Sequence, residues 1–364
     1  MSSNNVLEND TAYRNPWWKE AALPIDPDIT EQATAHQNNL TKPQGSLGTI
    51  ESLAIRLAGI QQKAKPAIDN VGIYVFAADH GIMDEGVSAF PQAVTGEMLK
   101  NFVSGGAAIS VLSQQLHADL VVVNVGSLAN DKELPAVVHR IVRKISGNIA
   151  KEPAMTLQQF ETAMGVGCEM AENARFHHQH LFVGGEMGIG NTSVASALIC
   201  HFTQRCAADI VGPGTGLDTA GVQHKQQIVD QAVALHQDAI ECAEDALICL
   251  GGFEIVALTA SYIRAAQLGI AVLVDGFICT AAALAATRIN PSIAPYLFYC
   301  HQSAEPGHQV ALSALNAEPL FDLQLRLGEG SGAALAVPLF RHAVALHNNM
   351  ATFGDASVSE KLDA

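Results

Sequence analysis

Beyond residue 70 the chain settles into an alternation that few folds can accommodate. Five short β-rich runs, VGIYVFAADHG (71–81), DLVVVNVG (119–126), HLFVGGEMGIG (180–190), GIAVLVDG (269–276) and YLFYCHQSAEPG (296–307), each close on glycines and polar residues. Helical, alanine-rich segments separate them. Strands alternating with helices specify βαβ units and a mostly parallel sheet. The runs are apolar throughout rather than alternating, the pattern of strands covered on both faces. The expected fold class is therefore α/β.

The residues before this alternation read as helical. Asp26-Pro27 is a helix start, an Asx cap followed by proline in the first turn. A second helix is predicted after KPQGSLG, with Ser46 as its cap and Leu47, Ile50, Ala54 and Leu57 at helical spacing. The longest apolar stretch, LGIAVLVDGFICTAAALAA, is interrupted by Asp275 and reads as a strand running into a helix, not a membrane span. The closing TFGDASVSEKLDA reads as a frayed tail. At 364 residues the chain is long enough for two domains, or for one large α/β domain with an appendage.

Charge narrows the partners. A formal net charge of −16 argues against nucleic acid and anionic membranes. An anionic substrate would need a local positive site, most simply the free N–H groups of a helix start. The seven cysteines are scattered, with no C-x-x-C pair, as buried thiols of a reducing compartment would be. The polar N-terminus carries no signal region, so the expected location is cytoplasmic.

In open parallel sheets ligands sit beyond the carboxyl ends of the strands. Those ends carry Asp79-His80, Asn124, Glu186, Asp275 and Ser303-Ala304-Glu305. GGEMGIGNTSVASAL (184–198) reads as strand, glycine-rich turn and helix, with Asn191 or Thr192 as cap and the helix start facing a phosphate. Spacing alone describes an ordinary capped helix equally well. VGPGTGLD (211–218) is a second such turn. Lys225 follows it, either beside the ligand or on a solvated helix surface. The stretch 78–98 has the look of a substrate-facing loop. Asp79-His80 suggests a metal or a proton relay, but a His80 bonded to a neighbouring backbone carbonyl is the commoner arrangement, and no Cys/His set supports a metal. RFHHQH (175–180) reads as surface. Ser303 suits a phosphate, a ribose or a helix cap. In LRLGEGSGAAL (325–335), Glu329 stands between glycines with no side-chain partner nearby. A poorly solvated carboxylate has a raised pKa, useful to a base near neutral pH. An exposed glutamate on a helix-terminal turn would read the same way.

Taken in order, TKPQGSLGTIESLAIRLAGIQ, AADHGI…EGVSAFPQAVT, GEMGIGNTSVASAL, VGPGTGLD, GGFEIVALTASYIRAA, VDGFICTAAALAA, HQSAEPGH and LRLGEGSGAA resemble the nicotinate-nucleotide:dimethylbenzimidazole phosphoribosyltransferases of cobalamin lower-ligand synthesis. The resemblance implies a Rossmann-like parallel sheet with helices on both faces. It also implies a small helical domain made from the two chain ends, here 1–66 and 329–364 around an α/β domain of 67–328, and a homodimer. It implies phosphoribose transfer from nicotinate mononucleotide to 5,6-dimethylbenzimidazole, with Glu329 as general base and Glu186 as a second active-site acid. Gly188, Gly190, Asn191, Thr192, Gly214, Gly216 and Ser303 would hold the phosphate and ribose, with Lys225 and Asp275 nearby. Ser88, Phe90, Met98 and Leu327 would form the acceptor-base pocket.

The chemistry agrees with one base and no cofactor or metal. The leaving nicotinate is a pyridinium, so breaking its bond to C1′ neutralises a charge and needs no acid. The donor carries a monophosphate, and the paired acids usual for pyrophosphorylated donors are missing from VLVDGFICTAA. Three positions depart from the family: Asn124 stands where an acid is common, and Phe90 and Met98 stand where some relatives place polar residues. These leave open a different acceptor base. A Rossmann dehydrogenase lacks support because no G-x-G-x-x-G follows the first strand. A non-catalytic nucleotide-binding relative would be marked by loss of Glu329 or Glu186.

Overall fold

A computed structural model describes residues 16–214 and 216–359. Among the described residues eight strands form two sheets: β1 (Val71–Ala78), β2 (Asp119–Gly126), β3 (Val138–His139), β4 (Leu181–Met187), β5 (Ala271–Val274), β6 (Leu297–Tyr299), β7 (His301–Ser303) and β8 (Phe321–Leu325). The main sheet has the order β3-β2-β1-β4-β5-β6, and every pair in it is parallel. The chain reverses its direction of travel between β1 and β4, which makes their carboxyl ends the topological switch point. Four of the five predicted runs became strands of this sheet. The fifth divides at Cys300: β6 stays in the main sheet, while β7 leaves it to pair in parallel with β8.

Both faces of the sheet are covered, as its unbroken apolar runs require. β1 is buried at all eight positions. The helix Phe253–Gln267 packs on β1, β2, β4 and β5, with the helix Leu157–Phe176 against it. Adjacent residues of β4 show how tightly each face is used. A Cβ on Gly184 would lie 2.5 Å from the Tyr262 hydroxyl, whereas one on Gly185 would lie 2.3 Å from the carbonyl oxygen of Glu329 on the other side. Successive strand residues point to opposite faces, so the two glycines admit a helix on one face and the Glu329 turn on the other.

The N-terminal helices Pro27–Asn39 and Thr49–Gln61 pack on each other, and the second packs on the helix Ser331–Asn349. Gln37 bonds His347, and Leu40 bridges Thr352. Asp26 caps the first helix as expected, accepting the Asp28 and Ile29 N–H groups. Ser46 does not cap the second. Its N-cap is Gly48, and Glu51 reaches back to the Leu47 N–H while pairing with Lys42 at 2.8 Å. The expected tail is ordered at its start, where Thr352 and Asp355 form a capping box on the helix Phe353–Ala356; its last residues lie outside the described part. No helix among the described residues is long and apolar enough to cross a membrane.

Candidate active site

A cavity of about 240 Å³ opens beyond the carboxyl ends of β4 and β5. Its walls bring together Glu186, Gly188, Asn191, Thr192, Gly214, Asp275, Ser303 and Glu329, with Phe90, Met98 and Leu327 on its apolar side. These are eleven of the residues proposed from sequence. Three others lie elsewhere. Gly190 packs against Met83, a Cβ on Gly216 would meet open space, and Ser88 lies outside the lining, its Oγ accepting the Phe90 N–H. Lys225 stands one layer back: it is 1 % exposed and donates to Thr192 Oγ1 at 2.7 Å. It is therefore no solvated surface lysine. Burial drives its pKa down to about 8, with the Glu305 carboxylate opposing.

The turn after β4 does not use the cap expected for it. Asn191 spends its amide on Glu186 Oε2 at 2.5 Å, and Thr192 accepts from Lys225, so the helix Asn191–Thr203 starts at Gly190 with no side-chain cap. An uncapped helix start opening beside a buried lysine is a ready anion site. Glu186 is held nearly neutral by its surroundings. Burial pushes its pKa up to about 8, the Asn191 amide opposes this, and the charges of Asp275 and Glu254 add to the rise.

Glu329 owes its position to an unusual turn. Gly328, Glu329 and Gly330 have φ of 88°, 66° and 86°, three successive left-handed residues. That conformation is inexpensive for glycine and rare for glutamate. A Cβ on Gly328 would also lie 2.3 Å from Glu186 Oε1, so a larger residue there would push the Glu186 carboxyl aside. Asp275 pins the turn: its carboxylate accepts the Gly330 N–H at 3.2 Å and the Ala333 N–H at 2.8 Å. Asp275 lines the cavity, but both its oxygens are engaged with this backbone. The Glu329 carboxyl is 6 % exposed and its Oε2 has no hydrogen-bond partner. Burial raises its pKa, the Ile109 amide opposing and the Asp275 charge assisting.

Ser303 is fixed through its backbone. Its N–H donates to His308 Nδ1 at 2.7 Å, and its hydroxyl accepts the Glu305 N–H at 3.3 Å. His308 is kept neutral, its pKa driven to about 3 by burial and the neighbouring His301. With Nδ1 accepting, Nε2 carries the proton and donates to Thr280 Oγ1 at 2.9 Å. His80 departs from expectation too: it faces Glu254, not a carbonyl, at 2.8 Å with both side chains fully buried. Burial works against its charge, but Glu254 outweighs it and raises the His80 pKa.

Sequence reasoning placed Glu305 at the strand-end edge without giving it a role, and did not single out Arg326, His301, Val94, Met187 and Ile189 as lining residues. His301 and Glu305 stand inside HQSAEPGH and Arg326 inside LRLGEGSGAA, two of the stretches that carry the family resemblance. Arg326 is the exposed cation of the lining, while Glu305 is 7 % exposed with Oε2 unpartnered. Among the described residues no three His, Cys, Asp or Glu side chains converge as a metal site would need.

Comparison with known proteins places these features in a family. Residues 23–358 match a family model described as phosphoribosyltransferase. A nicotinate-nucleotide–dimethylbenzimidazole phosphoribosyltransferase of Pseudomonas putida is 53 % identical over 345 residues, covering 95 % of this chain and 98 % of the relative. One from Pseudomonas fluorescens is 54 % identical over 347 residues, covering 95 % and 99 %. Among solved structures, CobT from Thermus thermophilus superposes with a TM-score of 0.88 at 39 % identity, covering 92 % of this chain and all of that one.

Proposed function

Because this chain belongs to the nicotinate-nucleotide–dimethylbenzimidazole phosphoribosyltransferase family, we propose that it moves phosphoribose from nicotinate mononucleotide to 5,6-dimethylbenzimidazole, releasing nicotinate and α-ribazole 5′-phosphate. The observation that carries the residue roles is one cavity lined both by a buried carboxyl, Glu329, whose Oε2 has no hydrogen-bond partner among the described residues, and by an uncapped helix start backed by Lys225.

The donor phosphate takes the helix start at Asn191-Thr192, with Gly214 and Ser303 beside it and Lys225 behind. Its pyridinium bond to C1′ breaks with the electron pair going to the ring nitrogen, which neutralises the leaving group. The acceptor nitrogen attacks C1′ from the opposite face and inverts it from β to α. Bond formation makes the acceptor's other N–H acidic, and Glu329 takes that proton. Its raised pKa suits the task, because a base works best with a pKa close to the working pH. Glu186 holds its proton to about pH 8 in the free protein. The cationic donor favours its ionised form, which then steadies the positive charge growing on the ribose. The apolar wall of Phe90, Val94, Met98 and Leu327 receives the acceptor ring.

Two further assignments rest on the same reading. The exposed Val111, Leu327 and Leu335 border an apolar groove continuous with the cavity mouth, and we assign it to a homodimer contact. The free cysteines fit a cytoplasmic enzyme.

The test is incubation with nicotinate mononucleotide and a panel of bases, products being read by mass. Glu329→Gln is expected to bind both substrates yet lose on the order of 10²–10⁴-fold in kcat, the usual worth of a positioned base. A near-normal rate in that variant removes the base assignment.

A further inference from the structure

Two walls of the cavity come from separate segments of chain. Phe90, Val94 and Met98 belong to the stretch entering the helix Ala93–Val103 and to that helix. Gly188 and Ile189 belong to the turn after β4, which leads to Asn191 and Thr192. None of the residues assigned to the chemistry joins these walls. Thr95 does. It is fully buried in the first turn of the helix, and its Oγ1 accepts the Ile189 N–H at 3.2 Å. A second tie runs alongside. Gln92 donates to the His80 carbonyl at 3.2 Å, and the His80 ring lies so close to Gly188 that a Cβ there would sit 2.8 Å from Nε2.

We propose that Thr95 is a positioning residue for the transfer, fixing the acceptor-base wall to the donor turn so that the attacking nitrogen and C1′ meet at reactive distance. The inference rests on the phosphoribosyltransfer reading and adds to it a residue that touches neither substrate. Its physical content is a single buried hydroxyl on the acceptor-side helix that accepts a backbone N–H of the donor turn. Valine copies the shape of threonine but cannot accept that N–H. The helix and the turn would then keep their own folds and lose their mutual register. A misplacement of about 1 Å at a reacting centre costs on the order of 10²-fold in rate.

The experiment compares the full-length wild type with Thr95→Val and Thr95→Ser. kcat is measured with nicotinate mononucleotide and 5,6-dimethylbenzimidazole saturating, and Kd for nicotinate mononucleotide alone is measured by calorimetry. The expected result is a kcat lower by roughly 10- to 100-fold in the valine variant with donor Kd changed by no more than about threefold, and recovery of most of the rate in the serine variant. A valine kcat within about twofold of wild type, a serine variant as slow as valine, or a rate loss matched by an equal loss of donor binding overturns the proposal. If the valine variant does not fold, Thr95→Cys replaces it. A thiol is the weaker acceptor, so kcat should fall from serine to cysteine, and equal rates in the two overturn the proposal. A wild type that makes no α-ribazole 5′-phosphate overturns the functional reading itself, whereas wild-type turnover with an unaffected valine variant overturns the positioning role alone.

Discussion

At the scale of single residues, the cavity is defined by carboxyl groups that the fold declines to solvate. Glu186 shows the consequence for stability. Its pKa is 4.5 when unburied and about 8 in the folded protein, so between those values the folded state binds the extra proton. Stability therefore falls as pH rises across that window, and the contribution is fully present only below it. Lys225, pushed down to about 8 from 10.5, acts with the opposite sign and only above that range. Glu186→Gln is neutral at every pH and removes the first effect. Its Tm, followed by scanning calorimetry from about pH 5 to 8, should decline less than that of the wild type, by roughly 2–4 °C or more for a chain of this size. Parallel curves for the two proteins would show that the buried carboxyl is not titrating in this range. What the sequence could tell at this scale was residue type and company. Glu329 among glycines was legible because no neighbour in the chain could pair with it. Arg326 and His301 were not, since each joins the cavity only through neighbours far along the chain.

At the scale of elements, the positions of functional groups follow from glycine placement and cap choice. The turn Gly328–Gly330 presses on β4 at Gly185, where a methyl group would stand 2.3 Å from the Glu329 carbonyl. Gly185→Ala should force the turn outward. The expected outcome is a cost of about 1–3 kcal/mol in urea unfolding, typical of overpacking, together with a fall in kcat on the order of 10²-fold from the displaced base. Full activity would mean that the turn yields without moving its side chain. The cap errors belong here as well. Ser46, Asn191 and Thr192 all have side chains that favour caps, and local preference gives them that role. In the folded protein Glu51 and Lys42 serve the first site, while Asn191 and Thr192 are taken by Glu186 and Lys225. Tertiary partners displaced a local habit, and they did so where the cavity is. The two-residue β3 and the small β7–β8 sheet escaped for a different reason: their runs are too short, or in β8 too exposed, to carry a strand signal.

At the scale of the whole molecule, the doubly covered parallel sheet was legible because every one of its long strands is apolar on both sides, which leaves one class of solution. The joining of the two chain ends in one helical layer was expected only from the family resemblance. We retain the bounds 1–66 and 329–364 as a proposal, supported by the packing of Thr49–Gln61 on Ser331–Asn349. The His80–Glu254 pair sits where β1, the turn after β4 and the helix Phe253–Gln267 meet, with no exposed atom surface on either residue. Breaking a pair buried to this degree strands a charge, so Glu254→Ala should lower unfolding stability by roughly 3–5 kcal/mol. Denaturant titration showing a loss under about 1 kcal/mol would mean that water reaches the pair.

The walls of the cavity are drawn from positions 90 to 329 of a chain whose central strands pair out of order. No early portion of the polypeptide can therefore assemble even half of the pocket. During synthesis β1 must wait for β4 before its second edge is covered, and the strand tips must wait for the Gly328–Gly330 turn before Glu329 arrives. A nascent chain thus carries bare apolar strand edges for most of its time on the ribosome, the interval in which aggregation competes with folding. Competence arrives late and all at once.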